Sequence, residues 1–354
     1  MFKREDTVKV KLGKGHNAVY IGGDSPVSVQ SMLNIPAHDF DKNISQAKEL
    51  ENAGCEIIRV SVLDIETVPL ISKLKENINI PVVADIHFDW RLAVESVYAG
   101  VDKIRINPGN IGDESKVKEV VKACKNHDVP IRIGVNSGSV EKSILNKYSS
   151  PTAAALVESG LYHISLLEKF DFNNIVLSLK SSDPKIMYEA YMAAAEACRY
   201  PLHLGVTEAG TKKMGILRSA AGIGGLLLAG VGNTIRVSLT DDPKEEVKAA
   251  KDLLKAVNIR NNGVRFVSCP TCGRTSIDLV GIAKKAEELL KDSDKNITVA
   301  IMGCVVNGPG EAREADIGIA GGKGEGIIFR KGKIIKKIPE KNLLEELLKE
   351  IEKL

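Results

Sequence analysis

Short apolar segments alternate with amphipathic helical patterns along roughly the first 240 residues of this 354-residue chain. The segments have the length of buried strands and are rich in Val and Ile. Regular strand–helix alternation implies right-handed crossovers and a parallel sheet. Eight such units predict a (β/α)8 TIM barrel. The eight predicted strands are residues 27–30, 57–60, 82–84, 103–106, 131–134, 175–179, 202–206 and 235–239.

An open doubly wound sheet is the alternative fold for this pattern. Such a sheet usually carries a glycine fingerprint in the turn that follows its first strand. Here Gly22 and Gly23 stand before the first strand of the repeat, on the wrong side for that motif. The alternation therefore favours the barrel.

The pattern changes near residues 258–263, where Asn-Ile-Arg-Asn-Asn-Gly is typical of a linker. Before it we predict a barrel domain, residues 1–260, which begins with a β-hairpin formed by residues 8–12 and 18–21. After it we predict a small α/β domain, residues 261–354. In that domain strands are expected at 264–268 and 297–302, with a helix at 278–291.

Composition excludes several classes of protein. A net charge of +3 is too small to indicate nucleic-acid binding. Six cysteines in a chain of this length do not form the dense framework of a small secreted protein. The amino-terminal residues lack an apolar signal region, and no stretch approaches the roughly 18 apolar residues of a membrane span. We therefore expect a cytoplasmic protein.

Basic and amide side chains recur at the ends of the predicted strands, where barrel enzymes hold their active sites. Guanidinium groups match phosphate oxygens in a bidentate manner, so the set predicts an anionic substrate. Individual members could instead face helices or pair between strands. The predicted substrate-binding residues are Arg59, Asp85, Arg105, Asn107, Arg132, Asn136, Lys180, Arg236 and Ser238.

Glu208 is unusual in this set, because a carboxylate contributes nothing to anion affinity. A general acid or base is the natural role for it. An ion pair with a neighbouring cation is the alternative. Asp85 could share the acid–base role or orient an arginine, and His87, two residues further on, is the histidine best placed to line the site.

Cys269, Cys272 and Cys304 follow the two predicted strands of the small domain. Structural zinc sites usually have four Cys or His ligands, whereas three thiolates can anchor a [4Fe–4S] cluster with one iron left for a weaker ligand. Glu311, beyond a Gly-Pro-Gly turn, could supply that ligand. Iron–sulfur is favoured, while zinc or a thioredoxin-like pair remains possible. Cys55, Cys124 and Cys198 are expected to be buried small side chains instead.

The cysteine segments, Cys-Pro-Thr-Cys-Gly-Arg-Thr and Met-Gly-Cys-Val-Val-Asn-Gly-Pro-Gly-Glu, resemble the signature of the 4-hydroxy-3-methylbut-2-enyl diphosphate synthase family. Further matches are Lys-Ile-Arg-Ile-Asn-Pro-Gly-Asn from residue 103 and His-Leu-Gly-Val-Thr-Glu-Ala-Gly from residue 203. The resemblance spans essentially the whole chain, in the family's order. It has the bacterial two-domain form.

This resemblance implies one [4Fe–4S] cluster held by Cys269, Cys272, Cys304 and Glu311. It implies reductive ring opening and dehydroxylation of 2-C-methyl-D-erythritol 2,4-cyclodiphosphate in the non-mevalonate isoprenoid pathway. Two electrons would come from flavodoxin or ferredoxin. It also implies a homodimer in which the cluster domain of one chain caps the barrel of the other. The residue chemistry agrees with this reaction, and in it Glu208 would supply a proton to the departing water.

Two other functions remain as alternatives. Pterin-binding barrels such as dihydropteroate synthase also carry Asn and Lys at strand ends, but they need no cysteine cluster. A zinc ribbon that binds nucleic acid would require a basic stripe with aromatic residues. After Cys304 the chain has one aromatic residue, Phe329, so this second alternative is weak.

Overall fold

The computed structural model describes residues 3–260, 263–291, 293–304 and 312–354. The chain divides into two compact units, Met1–Ile259 and Arg260–Leu354. Each unit has its own hydrophobic core.

The first unit is built on eight parallel strands, which follow an antiparallel hairpin of β1 (Val10–Leu12) and β2 (Val19–Ile21). The sheet order is β8-β7-β6-β5-β4-β3-β10-β9, and a parallel bridge between Leu177 and Leu202 joins its two ends. The predicted TIM barrel is therefore confirmed. The strands are β3 (Ser28–Met32), β4 (Ile57–Ser61), β5 (Val82–Asp85), β6 (Lys103–Ile106), β7 (Ile131–Asn136), β8 (Ile175–Lys180), β9 (His203–Leu204) and β10 (Thr234–Ile235).

Two of these strands are shorter than the sequence pattern predicts. We expect strands at 202–206 and 235–239, but β9 and β10 each contain two residues. The backbone N–H of Leu239 donates to the carboxylate of Glu246 instead of to a neighbouring strand. The chain therefore leaves the sheet soon after Ile235, and Arg236 and Ser238 lie in the loop that follows.

Helices connect the strands and cover the outside of the barrel. Several begin at an aspartate whose side chain accepts a hydrogen bond from a backbone N–H of the first turn, as Asp39, Asp113, Asp183 and Asp242 do. Within the described residues, no helix has the length and apolar character to cross a membrane. The helices are α1 (Phe40–Asn52), α2 (Pro69–Asn77), α3 (Trp90–Tyr98), α4 (Glu114–His127), α5 (Lys142–Tyr148), α6 (Ala153–Glu168), α7 (Pro184–Ala197), α8 (Lys212–Ser219), α9 (Gly225–Leu228) and α10 (Pro243–Ala256).

Alternation along each strand divides the side chains between two environments. In β7, Ile131 and Ile133 pack in the core between sheet and helices. Because successive strand residues point to opposite faces, Arg132 between them faces the barrel interior. The same alternation in β4 and β6 turns Arg59 and Arg105 inward. Toward the carboxyl ends of the strands the interior is therefore polar, while the outer face of the sheet is aliphatic.

The amino-terminal hairpin covers the lower end of the barrel, the end where the strands begin. Its Val10, Leu12 and Ile21 form one buried apolar cluster with three residues of the barrel strands. Those three are Ile57, Val83 and Val176. The hairpin thus separates the amino-terminal end of the barrel interior from water.

In its described residues, the second unit is a five-stranded sheet in the order β11-β12-β13-β14-β15, with two α-helices. The β11–β12 and β12–β13 pairs are parallel, and the remaining pairs are antiparallel. This is the small α/β domain that the sequence predicts. Its elements are β11 (Arg265–Ser268), α11 (Leu279–Leu290), β12 (Thr298–Met302), β13 (Ile317–Gly321), β14 (Glu325–Arg330), β15 (Lys333–Pro339) and α12 (Leu343–Glu352).

Candidate active site

The barrel interior contains a cluster of buried cationic side chains from four different strands. They are large, charged groups that proteins almost never bury without a partner. The cluster comprises Arg59, Lys103, Arg105, Arg132 and Lys180, each at most 8% exposed.

Asp85 at the end of β5 is the carboxylate that contacts this cluster. Its Oδ2 lies 2.6 Å from Nη2 of Arg59, and its Oδ1 lies 3.2 Å from Nη1 of Arg105. The same Oδ2 is 3.0 Å from Nε2 of His87. Burial alone would raise the pKa of Asp85, but Arg59, His87 and Arg105 hold it well below its ordinary value. Of its two predicted roles, the geometry favours orientation of arginines over acid–base chemistry.

The remaining cations are poorly compensated. Burial and the neighbouring Arg132, Arg59, Arg236 and Arg105 lower the pKa of Lys180 well below its ordinary value. The Nε and Nη2 atoms of Arg132 have no hydrogen-bond partner among the described residues. Unpaired buried charges of one sign are unfavourable, so this interior is suited to an anion that brings several acceptor oxygens.

Two glycines leave room for these side chains. A Cβ added at Gly134 in β7 would meet the guanidinium of Arg105, 2.9 Å from its Nη2. A Cβ at Gly205, just after β9, would lie 3.2 Å from Nζ of Lys180. Hydrogen at these positions therefore lets Arg105 and Lys180 lie against the barrel wall.

Arg236 joins the cluster from the loop after β10 and is held from outside the barrel. Its Nε lies 3.2 Å from Oε2 of Glu246 on α10, and its Nη2 lies 3.3 Å from Oε1. Glu246 is buried and also accepts hydrogen bonds from Ser31 and from the backbone N–H of Leu239. A helix carboxylate thus fixes one cation of the site.

The amide and hydroxyl residues of the predicted set lie at the same end of the barrel. Asn107 directly follows β6, is buried and accepts a hydrogen bond from the N–H of Gly109 at 3.1 Å. Asn136 ends β7, and its N–H donates to Oγ of Ser139 at 2.9 Å. Ser238 is half-buried in the loop after β10. Strand ends therefore bring these donors to the rim.

Glu208 lies in the loop after β9 and is exposed. Its backbone has φ of 52°, in the left-handed region that a residue with a Cβ adopts at a cost. Strained backbone of this kind concentrates at functional sites. The strain is consistent with a side chain that must point in one particular direction.

Lys103 is a buried residue of the interior that the sequence prediction omits, and His203 is a buried histidine that the sequence offers only as one of four that could line a site. Both are fully buried, and Nζ of Lys103 and both ring nitrogens of His203 have no hydrogen-bond partner among the described residues. A signal for Lys103 was available: it stands two residues before Arg105 in β6, so alternation places both side chains on the same face.

In the second unit, two of the predicted ligand cysteines lie at neighbouring strand ends. Cys269 follows β11 and Cys304 lies two residues after β12, and these strands are parallel partners with Ser268 opposite Ile301. Sγ of Cys269 accepts a hydrogen bond from the N–H of Gly303 at 3.2 Å. The register therefore brings Cys269 and the segment that carries Cys304 to one edge of the sheet.

Cys272 is exposed in the turn after Cys269. Its backbone N–H donates to Oγ1 of Thr275 at 3.1 Å, and the N–H of Ser276 donates to the carbonyl of Gly303 at 3.0 Å. The first bond closes the turn, and the second ties the first cysteine loop to the second. A hydrogen bond from the Arg274 backbone is the main cause of a lowered pKa at the Cys272 thiol.

Across residues 3–260, 263–291, 293–304 and 312–354, no three His, Cys, Asp or Glu side chains are gathered as a metal site. Glu311 lies outside the described residues. The donor chemistry nevertheless fits an iron–sulfur cluster: soft thiols follow adjacent parallel strands, and backbone hydrogen bonds link their loops. Cys55, Cys124 and Cys198 lie apart in the barrel unit, where burial raises the pKa of each thiol.

Fold and site together define a barrel protein with a buried cluster of cationic side chains and a thiol-bearing α/β unit. Residues 7–251 match the GcpE TIM-barrel domain, and residues 265–353 match the GcpE protein C-terminal domain. The chain belongs to the GcpE family.

Curated relatives match the chain over nearly its full length. The proteins from Clostridium perfringens and Clostridium acetobutylicum are 58% and 56% identical, each over 99% of both chains. A protein from Anoxybacillus flavithermus is 54% identical over 99% of this chain and 95% of its own. All three are named 4-hydroxy-3-methylbut-2-en-1-yl diphosphate synthase (flavodoxin).

Solved structures resemble the barrel at low sequence identity. Dihydropteroate synthase from Yersinia pestis has a TM-score of 0.51 at 16% identity, covering 70% of this chain and 99% of that one. The Xanthomonas albilineans dihydropteroate synthase has a TM-score of 0.50 at 14% identity, covering 70% and 98%. This likeness concerns the fold alone.

Proposed function

We propose that this protein is an iron–sulfur oxidoreductase of isoprenoid biosynthesis, a 4-hydroxy-3-methylbut-2-en-1-yl diphosphate synthase. It opens the ring of 2-C-methyl-D-erythritol 2,4-cyclodiphosphate reductively and removes a hydroxyl group, giving 4-hydroxy-3-methylbut-2-enyl diphosphate. The names of its close full-length relatives support this reaction. The structural observation that carries it is the buried cationic cluster, which suits a diphosphate.

In this proposal the diphosphate oxygens lie against Arg59, Arg105, Arg132 and Lys180, with Arg236 at the rim. Guanidinium groups offer paired donors to phosphate oxygens, and in a water-poor interior each charge-assisted hydrogen bond is strong. Asp85 holds Arg59 and Arg105 in position through the contacts at 2.6 and 3.2 Å. Rigid donors of this kind favour charge that develops during the reaction.

The neutral donors at the strand ends orient the carbon skeleton of the substrate. Asn107, Asn136 and Ser238 can hydrogen-bond to its hydroxyl groups and ring oxygens. Glu208, as a carboxylic acid, donates its proton to the departing hydroxyl group. The C–O bond then breaks, the oxygen leaves as water, and Glu208 is left as a carboxylate.

Cys269, Cys272 and Cys304 hold one [4Fe–4S] cluster, with Glu311 as the fourth ligand, in the domain of residues 261–354. When bound, the cluster supplies the two electrons that the reaction needs, one at a time. The donor is a flavodoxin, as in the names of the relatives, or a ferredoxin. A reducing cytoplasm suits both the thiolates and the donor.

Anaerobic purification followed by iron, sulfide and zinc analysis tests the cofactor. About four iron and four sulfide per chain, with a broad visible absorbance band, are expected for this cluster type. Turnover of the cyclodiphosphate with reduced flavodoxin then tests the reaction. Stoichiometric zinc without iron, in protein kept free of oxygen, would contradict the reductase.

Cysteine variants test the ligand set. Serine in place of Cys269, Cys272 or Cys304 should remove iron and visible absorbance together. Cys124→Ser is the matched control, since that thiol is buried in α4 and should leave the iron content unchanged. Full iron content in the three ligand variants would show that other residues hold the metal.

The homodimer is tested by mixing two inactive variants. If the barrel of one chain works with the cluster of its partner, then Glu208→Gln and Cys269→Ser chains should form some active mixed dimers. Each of these dimers would contain one intact barrel and one intact cluster facing it. Unchanged inactivity after subunit exchange would indicate that each chain works alone.

A further inference from the structure

Lys103 is fully buried and lies deeper in the barrel than Arg105, a proposed phosphate ligand on the same strand. It is the first residue of β6 and pairs in register with Val83, which packs against the apolar hairpin residues. Arg105, two residues later on the same face, lies nearer the open end. Lys103 therefore stands on β6 between the apolar hairpin and the strand position of Arg105.

Alternation turns Arg132 of β7 and Arg59 of β4 into the same interior as Lys103. After burial, their positive charges are the causes that lower the pKa of Lys103. Burial, followed by Arg132, Lys180 and Lys103, lowers the pKa of His203 of β9 well below its ordinary value. The hairpin side chains at this end are Val10, Leu12 and Ile21, which carry no charge.

This arrangement leaves Lys103 without compensation. Its Nζ has no hydrogen-bond partner in the described part of the chain, and Asp85 is already shared by Arg59, Arg105 and His87. Guanidinium groups keep their protons in proteins, whereas an amine can release one. Burial, followed by Arg132 and Arg59, lowers the pKa of Lys103 well below its ordinary value. The side-chain amine of Lys103 is therefore a fully buried group of the cluster that can be neutral while the site is empty.

We propose that Lys103 binds a proton from solvent when an anionic diphosphate binds to the arginines and Lys180 of the cationic cluster. The N–H bond forms on Nζ, the proton comes from the buffer, and no electron is transferred. Phosphate charge reverses the local potential that keeps the amine neutral. Binding of substrate and protonation of this lysine are then linked events. This inference rests on the proposed anion site.

Lys180 is a second buried amine, and it must be separated from Lys103 in the test. Lys180 ends β8 near the rim and belongs to the proposed phosphate ligands, so its loss should weaken binding itself. Lys103 begins β6 and is not among the proposed phosphate ligands, so its loss should change proton uptake more than affinity at high pH. Both lysines contribute to the lowered pKa of His203, so this histidine is kept unchanged in every variant.

Calorimetric titration in two buffers of different ionisation enthalpy measures the protons taken up on binding. The ligands are inorganic diphosphate and the cyclodiphosphate, and the protein is the full chain with its cluster. Wild-type protein should take up about one proton more than Lys103→Met, whose linear side chain preserves packing. Lys11→Met, on the exposed face of the hairpin, is the matched control and should behave as wild type.

The affinity of the wild-type protein for the ligand should also depend on pH between the two pKa values of Lys103, that of the empty site and that of the occupied site. In this range it should rise by up to about tenfold for each unit by which the pH falls. Lys103→Met should lose most of that slope. Ligand binding by wild type without proton uptake would overturn the inference and leave the anion site standing, even if Lys103→Met does not fold. Failure of both ligands to bind would contradict the anion site and this inference together.

Discussion

Glu246 on α10 accepts hydrogen bonds from Arg236 on both carboxylate oxygens. Nε of Arg236 lies 3.2 Å from Oε2 and Nη2 lies 3.3 Å from Oε1. The pair joins a helix on the outside of the barrel to the loop that carries Arg236 and Ser238. The same carboxylate accepts the N–H of Leu239 at 3.0 Å, so it fixes the backbone of this loop as well. Glu246 is thus a positioning residue for the rim of the site.

Glu246→Ala should raise KM for the cyclodiphosphate about tenfold, equivalent to about 1.4 kcal/mol, because Arg236 loses both acceptors. The free energy of unfolding should fall by about 3 kcal/mol, as for other broken buried pairs. Glu246→Gln keeps one acceptor oxygen and should recover part of the KM. Steady-state kinetics and urea titration measure the two effects.

The control for this experiment is Glu245→Ala. Glu245 is the preceding residue on α10 and forms a partly exposed ion pair with Lys212. Such pairs contribute about 0–1 kcal/mol, so KM and stability should hardly change. A normal KM in Glu246→Ala would show that Arg236 needs no support from α10.

Gly134→Ala should displace the guanidinium of Arg105, because the new methyl group occupies the space where that group lies. We expect weaker diphosphate binding and a loss of stability of about 1–3 kcal/mol, typical of overpacked interiors. Gly138→Ala is the matched control, since a Cβ there meets no atom within 4 Å. Calorimetry with inorganic diphosphate separates the variants; equal affinities would mean that Arg105 can move at no cost.

Asp85→Asn should make stability less dependent on acid pH. The native pKa of Asp85 lies below its unfolded value of about 3.9, so its stabilising effect is present above about pH 4. That effect is lost as the pH falls through the native pKa. Wild type should therefore exceed the variant by about 3 kcal/mol at pH 7 and by less in stronger acid.

Urea unfolding of both proteins over a series of pH values measures this difference. A gap that stays constant from neutral to acid pH would argue against a depressed pKa at Asp85. The ligand-free protein is the right sample, because bound phosphate would also respond to acid.

Glu208→Gln should reduce turnover by about 10²–10⁴-fold, the range expected for a lost general acid, while iron content and ligand affinity stay normal. Glu208→Gly should be similarly inactive. Its free energy of unfolding should exceed that of Glu208→Gln by about 1 kcal/mol, because glycine adopts a φ of 52° without strain. Normal activity in Glu208→Gln would remove this residue from the mechanism.

The sequence predicts the barrel well because the period-two and helical patterns are strong in strands such as β7 and β8. Alternation also places Arg59, Arg105 and Arg132 inside. It predicts less well where a contact is distant in sequence. Glu246 sits in an ordinary amphipathic helix, where a glutamate is normally solvated, and nothing local shows that it faces inward.

The shortened β10 has the same cause. Its continuation, Val237 to Leu239, is apolar enough for a strand, yet Leu239 pairs with Glu246 instead of the sheet. Lys103 illustrates a different omission. Alternation places it on the same face as Arg105, but it begins β6, whereas the active-site residues of a barrel are expected at the carboxyl ends of the strands. The predicted cluster ligand Glu311 falls outside the described residues, so its place remains a prediction.

The hairpin at the floor of the barrel has an electrical consequence. Val10, Leu12 and Ile21 replace water beneath the cluster with hydrocarbon, which screens charge far less effectively. The side chains of the cationic cluster therefore interact electrostatically with one another over several ångströms. A phosphate group that binds there would interact with all of them at once. The hairpin supplies none of the proposed substrate-binding residues. It nevertheless strengthens the electrostatic coupling between charged side chains that come from separate strands of the barrel.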